Sequence, residues 1–111
     1  MDRLSLYREA VIRLVEQYAS YGRTNGSVET EAVIDREHDH YEVVNVGWDG
    51  RRRVHYCSMH IDIRNGKVWI QHNATDRMLA NELMEFGVAR EDIVLGFHPP
   101  ELRKHTEFAV G

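Results

Sequence analysis

Residues 41–72 read YEVVNVGWDGRRRVHYCSMHIDIRNGKVWIQH, and the period of this stretch decides the fold. Apolar and polar residues alternate through Tyr41 to Trp48, Arg51 to Arg64 and Lys67 to His72, the pattern of strands whose successive side chains point to opposite faces. Asp49-Gly50 and Asn65-Gly66 separate the three runs, and both dipeptides favour the two positive φ angles of a type I′ hairpin turn. Upstream, Val28 to Asp35 alternates in the same way. Two-residue connections cannot join parallel neighbours, so these four strands are expected to form an antiparallel meander.

The alternation also assigns faces. In the third strand Cys57, Met59, Ile61 and Ile63 are expected to face the core, with Tyr56, Ser58, His60 and Asp62 on the other side. In the fourth, Val68 and Ile70 share one face and Trp69 and Gln71 the other. A turn centred on Asn65 and Gly66 sets Met59 opposite His72 and Ile61 opposite Ile70. Both faces carry residues that need cover, which predicts helices against one and a second subunit, as a symmetric homodimer, against part of the other.

Outside the meander the period is helical. Leu4, Tyr7, Val11, Leu14, Val15 and Tyr18 recur at three- and four-residue intervals, predicting an amphipathic helix from Asp2 to about Tyr21, capped by Asp2 and stopped by Gly22. Arg8, Glu9, Arg13, Glu16 and Gln17 form its solvated side, and residues 22–27 have the composition of a turn. A second helix, capped by Asn73 or Thr75, runs through about Phe86 on Met78, Leu79, Leu83 and Phe86, with Gly87 at its left-handed end and Val88 following. Ile93 to Phe97 is a last short strand, ended by His98-Pro99-Pro100. The fold class is therefore α+β: an antiparallel four- to five-stranded meander sheet with an N-terminal helix and a second helix before the last strand.

The 111 residues suffice for one domain spanning 1–111. No apolar run approaches the roughly 18 residues of a spanning helix, and the opening MDRLSLYREA carries charges where a signal peptide is apolar. The expected location is the cytoplasm. Cys57 is the only cysteine, which excludes an internal disulfide and a multi-cysteine zinc site and is read as a buried, inert thiol. The formal net charge is -4: residues 1–50 hold five Arg against ten acids, and residues 51–111 nine Lys or Arg against eight. Such a balance predicts no strong independent DNA-binding surface.

Seven histidines raise the question of chemistry. Glu37-His38-Asp39-His40 offers two imidazoles at i, i+2, which point to one side if the segment is extended, but the third ligand is not apparent. His60, Asp62 and His72 would make a better cluster, except that the expected register puts His72 on the Met59 face. Glu82 and Glu85 are read as a solvated pair. No phosphate loop, nucleophile elbow or zinc-protease helix is present. A general base at His60, His72 or His98 finds no visible nucleophile beside it, and the reading is of a protein without catalytic, cofactor or metal residues.

Arg51, Arg52 and Arg53 form the single basic run, next to Trp48 at a hairpin tip. Arginine beside an exposed aromatic can grip phosphate, but it suits a protein interface or an intramolecular salt bridge better, since neutralising about three phosphates would give a log-log salt slope of only about -3. Phe97-His98-Pro99-Pro100 and the segment from Arg103 and Lys104 to Phe108 and Val110 are expected to dock on the domain or on a neighbour. The candidate interface residues are Trp48, Arg51, Arg52, Arg53, Trp69, His98, Arg103 and Lys104.

NVGWDGRRRV, KVWIQHNATD and DIVLGFHPP, together with Asp39-His40-Tyr41 and Ala80-Asn81-Glu82-Leu83, make the chain resemble the XisI family along essentially its whole length. Asn73-Ala74 departs from the Asp-Gly expected there. The family is described as controlling factors for excision of a DNA element in heterocyst-forming cyanobacteria. The resemblance implies programmed DNA excision alongside a site-specific recombinase and a companion called XisH. Taken with the acidic balance and the lack of a catalytic motif, it leads to the expectation of a non-catalytic accessory factor that binds the XisH-type partner, the alternative being a regulator that binds DNA directly through Arg51–Arg53 and the basic C-terminal tail.

Overall fold

A computed structural model describes residues 2–22 and 27–111; the expected turn at 22–27 lies, for residues 23–26, outside the described residues. Helix α1 (Arg3–Ser20) starts where the Asp2 carboxylate accepts the Ser5 backbone N–H at 2.8 Å, satisfying one of the donors that a first helical turn leaves open. Tyr7, Ala10, Val11, Ile12, Leu14 and Val15 are buried, as the helical spacing requires, whereas Leu4 remains exposed. The opposite side is less solvated than expected. Arg8 makes two hydrogen bonds to Asp39, at 2.8 and 3.0 Å, and Arg13 lies over the Phe86 ring.

Strands β1 (Ser27–Asp35), β2 (His40–Asp49), β3 (Arg52–Arg64) and β4 (Lys67–Asn73) form the antiparallel meander. Strand β5 (Ile93–Leu95) joins β4 in parallel, making the five-stranded sheet mixed, in the order β1-β2-β3-β4-β5. The reversal follows from the connection: helix α2 (Leu79–Glu85) and a 3₁₀ turn at Arg90–Asp92 intervene, a crossover long enough for parallel pairing. Asn65 (φ 53°) and Gly66 (φ 76°) form the expected type I′ turn. The β2–β3 turn is displaced by one residue from Asp49-Gly50. Asp49 pairs with Arg52, and the loop is Gly50-Arg51 with its positive φ at Gly50, the position where a type II′ turn places glycine.

Two bulges change the expected faces. Ser58 is an extra residue in β3, between Cys57 opposite Val44 and Met59 opposite Val43. The alternation therefore reverses there: Tyr56 joins the side of buried Asn45, and Cys57 turns to the outer face with Val44 and Glu42. Asn45 secures the bulge, accepting from Thr30 Oγ1 at 2.7 Å and donating to Ser58 Oγ at 3.3 Å. Gln71 is the second extra residue, in β4. Ile61 pairs with Ile70 as expected, but His60 rather than Met59 stands opposite His72.

The core lies between the inner sheet face and the helices. Val11, Leu14 and Val15 meet Tyr41, Val43, Met59, Ile61, Val68 and Ile70, with Leu79, Leu83, Val88 and Ile93 closing the side. Neither Asn73 nor Thr75 caps α2. They bond each other and the Arg77 backbone in a turn of their own, and the helix begins after exposed Met78. Its end is as expected: Val88 N–H donates to Leu83 O at 3.0 Å and Gly87 N–H to Met84 O at 3.1 Å, the paired bonds of a Schellman motif.

After β5, Pro99 and Pro100 lead into the short helix α3 (Pro100–Arg103), and the chain returns to dock on its own sheet. Ala109 N–H donates to Ile93 O at 2.8 Å, Ala109 bridges Val94 in parallel, and Phe108 packs against the core.

Gly47 stands opposite Val28 of β1, and a Cβ there would collide with the Ser27 carbonyl. Gly47→Ala is expected to destabilise the protein by about 1–3 kcal/mol through overpacking. Urea unfolding measures this; an unchanged midpoint would show that β1 yields freely.

Candidate functional site

The outer face of the meander carries a cluster built by the pairing of β2 and β3. His40 stands opposite Asp62 and Glu42 opposite His60, four side chains at the corners of a square on one face. His40 Nδ1 and His60 Nε2 both lie 2.8 Å from Asp62 Oδ1. Gln71, thrown outward by its bulge, donates to Asp62 Oδ2 at 3.2 Å, and Glu42 Oε1 is 3.9 Å from His60 Nδ1. Asp62 is 6% exposed. Burial pushes its carboxyl up, but the hydrogen bonds from His40, His60 and Gln71 outweigh burial and hold it below the ordinary value. The same bond to Asp62, followed by its charge, raises His40.

A second carboxylate is held differently. Asp39 adopts a left-handed backbone (φ 58°) in the β1–β2 turn and receives Arg8 together with the Tyr41 hydroxyl, which donates at 2.7 Å. Burial raises its carboxyl and these partners more than reverse the effect, while burial and the Asp39 bond push the Tyr41 phenol up. His38, which the sequence pairs with His40, instead bonds Asp35 at 3.0 Å within the same turn. The expected i, i+2 pair is thereby divided.

The interface residues fall into two groups. Trp48 is 49% exposed, with the Arg53 guanidinium 5.2 Å from its ring centroid; Arg51 and Arg52 are exposed beside it. Tyr56 is also exposed, and a hollow of about 500 Å³ is lined by Asp49, Arg52, Arg53, Val54, His55 and Tyr56. Trp69 is half-buried beneath two guanidinium groups, Arg64 at 5.0 Å and Arg103 at 5.1 Å. Arg103 also donates to His98 O at 2.9 Å, and Lys104 is exposed. Trp48 lies opposite Arg53 and Trp69 opposite Asp62, so the strand rise separates the two groups by roughly 25–30 Å. They are separate surfaces.

The family described as XisI protein matches residues 1–110. This chain belongs to the XisI family. Among solved structures, a XisI-like protein from Anabaena variabilis is 43% identical with a TM-score of 0.92, covering 99% of this chain and 100% of that one. The fdxN element excision controlling factor XisI from Anabaena variabilis is 33% identical with a TM-score of 0.86, over the same shares. A comparison with curated proteins finds no match. The mixed sheet with its N-terminal helix is thus the XisI architecture, and no helix among the described residues is long and apolar enough to cross a membrane.

In this XisI-family chain the sequence pattern does not reveal His40 and Glu42 as partners of β3, because the shifted turn and the Ser58 bulge both alter the register. The locally visible signal was the i, i+2 spacing of His60 and Asp62. Cys57, half-buried on the outer face, donates to Met59 O at 2.9 Å. Burial, reinforced by the Glu42 charge, raises its thiol. Alkylation at pH 7.5 is expected to be at least about tenfold slower in the folded protein than in urea; equal rates would mean that the thiol is open. Arg103→Ala removes the stack on Trp69, and a loss of about 0.5–2 kcal/mol would accelerate local opening, read as Ala109 amide exchange, by roughly two- to thirtyfold. Unchanged exchange would show that the backbone bridge alone holds the segment.

Proposed function

We propose that this chain is a non-catalytic controlling factor for excision of a DNA element, acting in the cytoplasm as a single domain and a homodimer that binds an XisH-type partner. Excision control is supported by family membership and by the relative named as an excision controlling factor. Partner binding is supported by the far end of the β2–β3 hairpin. There Trp48, Tyr56 and Arg51–Arg53 are exposed together, an aromatic and arginine composition typical of binding hot spots. Beyond Ser58, β3 also has no β4 partner among the described residues, so the edge of Arg52–Cys57 can accept an added strand.

Direct DNA binding draws less support from the same geometry. Arg53 is engaged with Trp48 and the Gly47 carbonyl, Arg103 is committed to Trp69 and the His98 carbonyl, and the two basic groups do not form a continuous track. Co-purification with the XisH-type protein of the same genome, followed by light scattering, is expected to give a stable complex at micromolar concentration. Trp48→Ala combined with Arg52→Ala should weaken it at least about tenfold. Failure to associate would refute the partner mechanism, and salt-sensitive DNA affinity lost on replacing Arg51–Arg53 by alanine would establish the DNA reading.

A further inference from the structure

We propose that His40, His60 and Asp62 form a binding site for a divalent transition-metal ion, with Zn²⁺ the best match, on the outer face of the sheet. One ligand atom from each lies within 4.8 Å of the other two, and His40 Nδ1 and His60 Nε2 are the ring nitrogens turned to the Asp62 carboxylate. Tetrahedral Zn²⁺ with bonds of about 2.0–2.1 Å spaces its ligands about 3.3 Å apart. Both imidazole nitrogens already stand 2.8 Å from the same Asp62 oxygen, so an ion would replace two hydrogen bonds with adjustments of the order of 1 Å.

The backbone makes this arrangement stiff. All three donors sit on paired strands, with His40 directly across from Asp62 and His60 two residues before it. The surrounding groups are those that orient metal ligands. Gln71 fixes the second Asp62 oxygen, and Glu42 faces the ring nitrogen of His60 turned away from the ion. That leaves Nε2 as the coordinating atom. Asp62 is nearly inaccessible, but the side chain of His40 is 55% exposed and that of His60 33%, giving the ion a route in and leaving its fourth position directed outward.

The donor set selects the metal. Two imidazoles and one carboxylate favour Zn²⁺ and its first-row neighbours over Mg²⁺ and Ca²⁺, which prefer oxygen-rich sites. Three protein ligands with one open position form a site that binds a further ligand, unlike a closed structural centre. Water or a donor from a partner can occupy it.

Untagged protein stripped with chelator and titrated calorimetrically with ZnCl₂ at pH 7.5 is expected to take up one equivalent with a Kd of about micromolar or below. His40→Ala and His60→Ala should each weaken uptake at least about tenfold, whereas His72→Ala should leave it within about twofold. Circular dichroism checks that the variants fold; His40, being exposed, is the safer substitution. Co²⁺ in place of Zn²⁺ should give visible d–d absorption that disappears in His40→Ala. Lack of saturable uptake, uptake insensitive to both histidine substitutions, or tighter binding of Mg²⁺ than Zn²⁺ would overturn the proposal. The titration needs no partner, so it succeeds or fails independently of complex formation.

Discussion

An alternating strand shows each side chain to one face only, and the extra residue at Ser58 changes that assignment partway along β3. Below it, Met59 and Ile61 close the core against Val43 and Tyr41. Above it, Val54 and Tyr56 stand on the inner side with Gly47 and Asn45. Were β3 regular, the register that seats Met59 and Ile61 inside would put Tyr56 on the outer face and Cys57 within. The bulge therefore lets one thirteen-residue strand serve a helix-covered core at one end and a protruding hairpin at the other. Asn45, buried and fully engaged with Thr30 and Ser58, keeps the irregularity in place.

Two carboxylates with little exposure, Asp39 in the β1–β2 turn and Asp62 in β3, are neutralised by partners of opposite character. Asp39 is bound to Arg8, whose charge persists at every accessible pH and whose planar fork matches both oxygens. That pair fastens α1 to the β1–β2 turn wherever Asp39 is ionised. Asp62 instead faces two imidazoles, whose ring nitrogens can donate a hydrogen bond or offer a lone pair. The first arrangement is a structural fastening. The second can exchange what it holds.

Elements and turns were legible in the sequence wherever one local signal sufficed. The Asp2 cap, the Asn65-Gly66 turn, the Gly87-Val88 helix end and the alternating strands all depend on residues within a few positions of one another. Register was less legible because it accumulates. A turn at Asp49-Gly50 would have placed Met59 opposite His40; moving the turn by one residue and adding Ser58 carries the opposing position to Asp62. The His40–Asp62 contact rests on those two departures together. The parallel placement of β5 was likewise invisible to a period that describes each strand but not its neighbour. The pairing of Arg8 with Asp39, distant in sequence, emerges only once the helix has been laid across the sheet.

The position of α1 also has a consequence for the order of folding. The helix is made before the strands it packs on, yet Val11, Leu14 and Val15 share one core with residues of β2, β3, β4 and α2. The hairpins close through short loops, but the helix can bury its apolar side only after most of the chain has followed it, and the parallel pairing of β5 with β4 requires the crossover as well. On the ribosome the nascent helix therefore presents an unsatisfied hydrophobic stripe until the meander is complete. Its dense charge on the other side, with Arg8, Glu9, Arg13 and Glu16, helps keep that waiting segment in solution.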